Sequence, residues 1–556
     1  MSLLQKASGG FFGLSEHLKK ISYNKIRFVL FLISGVLTGL TLVLPKIGFI
    51  EWVSLIPVGA VLLIRAADKN VRLRSLYLDG LVFFYVYYIV CFHWFVYLYP
   101  LDFIYGMTKL AAFAVVVVAL FGLPLLQALM GGLLFVLVAL VVRSRLFERI
   151  RLSILPPLAI AGAWAVYEWT QTLGWWGVPW GRLPLGQIEY LAGVQNAAWF
   201  GSYFITFMIV AVNLLLAMAL INPPKIRLGV IVALSLLIFQ YASGALIWFT
   251  TDIYEGEKIK VSCIQGNVSS NEKWDSASLT KTFQNYVGYT KAAANEGAEL
   301  VIWPETAFPY DISSGLYSMY GDVFAKLADD YDIYLLVGAF TSDEEGNDLN
   351  SLVCYTPDGE KIENVYSKRR LVPFGEYVPM RGVVETLIPP LADLVMSTSD
   401  IYPGEGAQIM EIRDGIGLGG LVCFDSIYDE LTLESVREGA DLLCLSTNDS
   451  WFVDSKALYI HNAHAQLRAI ESGRYVARAA NTGISTAITP RGEVTALLEP
   501  LVEGKLTFDV YARTNSTPWS IIGNTFVYVL ILIYSVIIAD IFLLKIRDKM
   551  LHKSQN

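Results

Sequence analysis

Apolar residues are distributed along this chain in two different ways. Over residues 1–250, and again after 520, they come in long runs. A run of about 20 mostly apolar residues is what a helix needs to cross ~30 Å of hydrocarbon. Seven such runs lie at roughly 28–45, 49–65, 77–98, 112–141, 154–173, 194–221 and 227–249, and an eighth at roughly 521–544. The fourth is long enough to tilt or to begin as a surface helix. Only Pro45 and Lys46 separate the first two, so a re-entrant hairpin is the alternative there.

From residue 257 the pattern changes to short β-rich runs alternating with amphipathic helices. KIKVSCIQGN (258–267) predicts a strand and turn, 277–296 a helix, and AELVIWPETAF (298–308) a buried strand that ends at Pro304. A further strand is expected at 331–340, and a hairpin at 350–368 with Pro-Asp-Gly as its turn. Strands at 417–426 and 440–449, a helix at about 457–473 and strands near 474–480 and 484–489 complete the pattern. This alternation implies an α/β sandwich with helices outside buried sheet. Some 260 residues suffice for a sizeable core.

Composition agrees with a membrane protein carrying a polar domain. The 556 residues are 54% hydrophobic and only 17% charged, against about 25% charged in soluble chains. Five scattered cysteines are too few to staple a fold. The net charge of −8 hides a split: residues 1–250 carry +10, 251–520 carry −20 and 521–556 carry +2. A domain at −20 is repelled by phosphate backbones, which excludes nucleic acid as a partner. The divisions expected are 1–250, a membrane domain with about seven spans; 251–515, a folded domain; and 516–556, the last span and a tail.

The cations also give an orientation. Fifteen Lys and Arg fall in the N-terminal tail, around Arg65–Arg74, around Arg143–Arg151 and at Lys225 and Arg227; the alternate loops hold only Lys46, Lys109 and Arg182. Positive charge stays cytoplasmic, so both termini are expected inside and residues 251–515 outside. The long polar lead and the lack of a small-residue cleavage site argue against a cleaved signal peptide, and no lipidation signal is evident. The outer loop GWWGVPWGRLPLGQ places Trp175, Trp176 and Trp180 at headgroup level, either as a simple anchor or as a lipid entrance where Arg182 meets a phosphate. Glu168 lies in or near the fifth span, where an acid needs either a structural partner or a substrate role.

Three residues at strand ends or in adjoining loops carry candidate chemistry: Glu305 after Val-Ile-Trp-Pro, Lys368 in YSKRRLVPFGEYVP, and Cys423 after GLGGLV. A thiol at a helix N-terminus is expected to have its pKa lowered. An acid can take its proton, and a lysine can stabilise the oxyanion formed when sulfur attacks a carbonyl. Together these are sufficient parts for acyl transfer through a thioester. Taken singly each is weak, since a Cys in an apolar strand is usually a small hydrophobe, as Cys263, Cys354 and Cys444 are read. His461 and His464, three apart on an expected helix, lack a second ligand pair and read as helix packing or surface; no metal and no cofactor is expected.

The order WPE, then Y-x-K-x-x-LVPFGE, then Cys-Phe-Asp resembles the nitrilase superfamily. With the flanking spans it is similar to that superfamily's membrane branch, the apolipoprotein N-acyltransferases. The resemblance also rests on GVPW, QGN at 265–267, ND-x-WF at 448–452 and GRYVARAANTGIS at 473–485. It implies a nitrilase-like α-β-β-α sandwich on the extracytoplasmic face of a bacterial inner membrane. It implies Glu305 as general base, Lys368 as the stabiliser of the tetrahedral intermediate, Cys423 as nucleophile and Glu376 as a second, positioning acid. The Phe424 N–H would complete the oxyanion hole. Where the family commonly shows Tyr-Glu after the cysteine, this chain has Phe424 and Asp425.

The partners so implied are a phospholipid acyl donor and a diacylated apolipoprotein acceptor, served by a membrane-embedded monomer. Burying an acyl chain recovers about 0.8 kcal/mol per CH₂, so such substrates stay in the bilayer. The apolar stretch 380–396 is expected either to pack as a loop or to act as a lid, with Leu387, Ile388, Leu391 and Leu394 facing lipid. The competing reading is a membrane-anchored amidase or nitrilase that hydrolyses a small amide or nitrile.

Overall fold

The computed structural model describes residues 16–101, 107–144, 154–222, 224, 226–273, 276–387 and 400–555. The chain divides into two compact units, one of residues 1–93, 118–247 and 524–556, the other of residues 94–117 and 248–523.

The first unit is helical. Among the described residues, seven segments are long and apolar enough to cross a membrane: Asn24–Val43, Pro45–Ala67, Leu73–Cys91, Lys109–Val142, Ser202–Ile221, Ile226–Thr250 and Thr525–Leu544. The run expected at 154–173 is a helix of only 16 residues, Leu155–Thr170, about 24 Å at 1.5 Å per residue. Small residues let the helix backbones approach closely. A Cβ on Gly132 would lie 2.9 Å from the carbonyl oxygen of Tyr77. Glu168 is buried and engaged: Oε1 accepts from the Leu183 N–H at 3.1 Å, Oε2 from Thr206 Oγ1 at 2.5 Å, and Arg182 Nε stands 3.9 Å away.

The second unit holds two six-strand paths. The first sheet runs β13-β1-β2-β4-β5-β6, with β3 also on β4; the second runs β12-β11-β10-β9-β8-β7. The first is built from β1 (Glu257–Gln265), β2 (Leu300–Ile302), β3 (Phe308–Asp311), β4 (Tyr334–Ser342), β5 (Asp348–Tyr355), β6 (Tyr366–Ser367) and β13 (Gly504–Ala512). The second is built from β7 (Ile409–Glu411), β8 (Gly417–Val422), β9 (Leu442–Thr447), β10 (Tyr475–Ala480), β11 (Ser485–Ile488) and β12 (Val494–Leu498). Strands β1, β2 and β4 are parallel, as are β8, β9 and β10. Every residue of β8, β9 and β10 is buried, which is why apolar residues fall on both faces of these strands instead of alternating with polar ones.

One core lies between the sheets, where Val261, Ile302 and Leu352 meet Leu418, Leu442 and Ala477. A second lies on the outer face of the first sheet, where Trp303, Phe308 and Phe324 pack with the helices Ser276–Asn295 and Met319–Tyr331. The outer layer of the second sheet includes the helix Ala457–Ser472, closed by Gly473 at φ +67°, where a left-handed cap suits glycine. The result is an α-β-β-α sandwich. The expected buried strand at 298–308 is only three residues, Leu300–Ile302, because the chain turns at Pro304 and Glu305 before β3. The helix Met319–Tyr331 and strand β13 are elements that the hydrophobic pattern did not announce.

Candidate active site

Parallel strands expose the loops after their carboxyl ends at one edge, and the reactive side chains sit there. Glu305 follows β2, Lys368 follows β6, Cys423 follows β8, and Asn448 and Asp449 follow β9. Gly338 on β4 lets the Glu305 turn pass: a Cβ there would lie 2.2 Å from the Pro304 carbonyl oxygen.

Glu305 is buried and fully bonded. Its Oε1 accepts from Lys368 Nζ at 3.0 Å and Asn350 Nδ2 at 2.8 Å, and its Oε2 from the Asn448 N–H at 2.7 Å. Lys368 Nζ also donates to Glu376 Oε1 at 2.7 Å, and Glu376 Oε2 is held by the Val372 N–H at 2.8 Å. Burial would raise the Glu305 carboxyl, but Lys368 and Lys273 outweigh it and hold it below the ordinary range. Burial would likewise favour a neutral Lys368, yet Glu305 and Glu376 raise it well above its usual value. The resting pair is therefore a carboxylate and an ammonium.

Cys423 is buried, and its thiol feels both charges of that pair. Its φ of +49° lies in the left-handed region, which costs an L-residue about 1–2 kcal/mol. The expectation of a lowered thiol pKa is corrected here. The helix that begins at Cys423 is a five-residue 3-10 turn, Cys423–Ile427, with little dipole to offer. Burial, with Glu305 next, pushes the thiol up. The resting Cys423 side chain is therefore a protonated thiol.

The substrate-binding expectations fare differently. Phe424 is half-buried, edge-on to Tyr428 at 5.4 Å. Asp425 is wholly buried and serves the fold: it accepts from Tyr366 Oη at 2.9 Å and from the N–H groups of Arg369, Arg370 and Val422 at 3.2, 2.8 and 3.0 Å. Burial pushes its carboxyl up to about 6 against those bonds. Arg182 belongs to the first unit and is wholly buried there, donating to Ser202 Oγ at 2.6 Å and lying 4.1 Å over the Tyr203 ring. Leu387 ends the short helix Arg381–Leu387, while Ile388, Leu391 and Leu394 lie outside the described residues.

Several neighbours were not anticipated. Lys273 Nζ donates to the Glu305 carbonyl oxygen at 3.0 Å, and burial, against the pull of Glu305, lowers its amine to about 8. Asn350 and Asn448 complete the Glu305 cradle. Asn448 stood in the ND-x-WF segment, but no charge or periodicity marked its main-chain N–H. His461, read as helix packing or surface, is buried beside Cys423, with Nδ1 2.9 Å from Asp449 Oδ1 and Nε2 3.1 Å from the Cys423 carbonyl oxygen. Ligand atoms of Cys423, Asp449 and His461 lie within 4.8 Å of one another. Arg478 Nη2 sits 2.6 Å from Asp449 Oδ2, so that carboxylate is shared between a guanidinium and the imidazole.

A buried acid, an ammonium and a thiol at the strand ends of an α-β-β-α sandwich define a carbon-nitrogen hydrolase domain, and the carbon-nitrogen hydrolase family model matches residues 260–517. A second family model, the apolipoprotein N-acyltransferase N-terminal domain, matches residues 34–215. An apolipoprotein N-acyltransferase from Gloeobacter violaceus is 30% identical over 496 residues, 88% of this chain and 89% of that one. One from Geobacter metallireducens is 32% identical and covers 66% of this chain and 70% of its own length. Among solved structures, a nitrilase-superfamily protein from Saccharomyces cerevisiae is 19% identical with a TM-score of 0.37, covering 47% of this chain and 92% of that chain. The chain belongs to the apolipoprotein N-acyltransferase family.

Proposed function

We propose that this protein moves a fatty acyl group from a phospholipid to the α-amine of an apolipoprotein's S-diacylglyceryl-cysteine, by way of a thioester on Cys423. The observation that carries the reading is the ionised Glu305, bonded to Lys368 at 3.0 Å, beside a thiol that burial keeps protonated. Glu305 takes the thiol proton as sulfur attacks the ester carbonyl. The oxyanion is met by the Lys368 ammonium and the Phe424 N–H. Collapse breaks the acyl C–O bond, and the glycerol oxygen leaves with the proton from Glu305 as a lysophospholipid. The acceptor amine then attacks the thioester and gives a proton to Glu305. The Cys423 sulfur departs with that proton, leaving an amide. Glu376 holds Lys368 in place throughout.

The layout fits a substrate that stays in the bilayer. Residues 1–250 and 516–556 form the membrane part and 251–515 the catalytic domain, on the periplasmic face of the inner membrane with both termini cytoplasmic. That orientation requires the 16-residue helix Leu155–Thr170 to cross, since it sets the parity of the crossings before residue 251. A single chain carries the whole acid-ammonium-thiol set, which supports a working monomer.

Intact mass of the full-length protein in phospholipid mixed micelles tests the route. An acyl group should appear on Cys423 and leave on addition of a diacylated lipopeptide, which gains it. A Cys423→Ala enzyme that still makes triacylated lipopeptide, or a wild type that releases only free fatty acid, overturns the proposal.

A further inference from the structure

The nucleophile has a second set of partners, and they grip its backbone. The Cys423 carbonyl oxygen accepts from Ser426 Oγ at 2.8 Å and stands 3.1 Å from His461 Nε2. The Ser426 hydroxyl has one proton, directed at that carbonyl, so it presents a lone pair to His461 Nε2, 3.0 Å away. On the other side of the ring, Nδ1 faces the Asp449 carboxylate at 2.9 Å, and Thr447 Oγ1 donates to the same oxygen at 2.9 Å. With only acceptors around it, Nε2 calls for a proton there. Arg478 Nη2 stands 3.3 Å from Nδ1 and donates to Asp449 Oδ2 at 2.6 Å.

The cluster is built for this carboxylate. Asp449 and Arg478 are completely buried, and a Cβ on Gly483 would fall 2.0 Å from Asp449 Oδ2. Burial would raise Asp449, but Arg478 and His461 hold it down at about 2, so it remains an anion. The ring of Phe452 stands edge-on to His461 at 5.9 Å.

A trans peptide holds its C=O and N–H in one plane, pointing in opposite directions. Whatever holds the Cys423 carbonyl therefore aims the N–H of Phe424. We propose that His461, held between Asp449 and the Cys423 carbonyl, is a positioning residue that fixes the Cys423–Phe424 peptide so that its N–H meets the oxyanion. It touches no substrate and acts through that peptide alone. The inference rests on the thioester route above and assigns the oxyanion donor its support.

The test uses full-length protein in phosphatidylethanolamine mixed micelles, with three readings: acyl-thioester formation on Cys423, alkylation of Cys423 by iodoacetamide, and the thermal unfolding midpoint. Alkylation forms no oxyanion, so it separates aim from mere folding. His461→Leu should slow thioester formation about 100-fold or more, the scale of one lost oxyanion donor. Half-saturating phospholipid should stay within about twofold and alkylation within about fivefold. His461→Gln, whose amide can replace the Nε2 donor, should regain at least a tenth of the wild-type rate. If His461→Leu does not fold, Ser426→Ala tests the same carbonyl and should slow acylation about tenfold with alkylation unchanged. Near wild-type acylation in His461→Leu or Ser426→Ala overturns the proposal. So does a parallel loss of acylation and alkylation, or a His461→Gln as slow as His461→Leu. A wild type that forms no thioester overturns the route itself, and this inference with it.

Discussion

Two buried ionic clusters meet at Cys423, and they differ in what surrounds them. The Glu305–Lys368–Glu376 cluster reaches the surface, with 14% of the Glu376 side chain exposed. In the Asp449–His461–Arg478 cluster no side chain is more than 1% exposed. Consecutive residues of one turn serve both: the Asn448 N–H binds Glu305, and the Asp449 side chain binds His461 and Arg478. In the proposed route the first cluster passes a proton in each half-reaction. The second keeps its charges and holds geometry. A charge that must change is placed where substrate can arrive, and a charge that must not is walled off.

Breaking the first cluster should have the larger effect on rate. Glu305→Gln keeps the shape and loses the proton acceptor, so thioester formation should fall by roughly 10²–10⁴-fold, read by intact mass at fixed times. Breaking the second should appear first as stability. Arg478→Met leaves the buried Asp449 carboxylate with less compensation, at a cost of about 3–5 kcal/mol, read as a lower unfolding midpoint.

Acid sharpens the contrast. The native Asp449 carboxyl, at about 2, lies below its unfolded value near 3.9. Its contribution is therefore complete above about pH 4 and drains as pH falls toward 2. The gap in unfolding midpoint between wild type and Asp449→Asn should narrow over that range; a gap independent of pH would break the assignment. Lys273 gives the same slope in the alkaline range, from the opposite cause, a burial penalty on its charged form that is relieved as it loses its proton. Its native amine, lowered to about 8, sits below the unfolded value near 10.4, so its contribution to stability rises between pH 8 and 10. Lys273→Met should flatten that rise in the difference from wild type. The smallest effect is expected of Phe424→Tyr, which adds a hydroxyl to a half-buried ring beside Tyr428 and should leave acylation within about threefold.

The first cluster was legible in the sequence because each member sits in a short contiguous motif at a strand end. Glu305, Lys368 and Cys423 could be named without knowing how the strands pair, and the family resemblance added Glu376. The second was not legible, because its members come together only through pairing. Asp449 and Arg478 become neighbours because β9 and β10 are parallel partners, and His461 reaches them from the intervening helix. A histidine on an otherwise mixed helix face carries no periodic signature of that role. The thiol was misread for a related reason. A polar residue after an apolar strand announces a turn but not its length, and a single 3-10 turn does not carry the dipole of a long helix. Asp425 shows the reverse case, a charge that looked available for substrate and is consumed by four internal donors.

The pairing of β1 with β13 has a further consequence. Glu257, the first residue of one, lies opposite Ala512, the last of the other, and eight successive pairs follow. The polypeptide thus enters and leaves the sandwich at neighbouring points on one sheet edge. A module with its ends side by side can be spliced into a host chain without disturbing its own interior. The same architecture would serve as a freestanding soluble enzyme or, as here, as an insert between two hydrophobic helices. Nothing in its strand order would have to change for it to move from one way of life to the other.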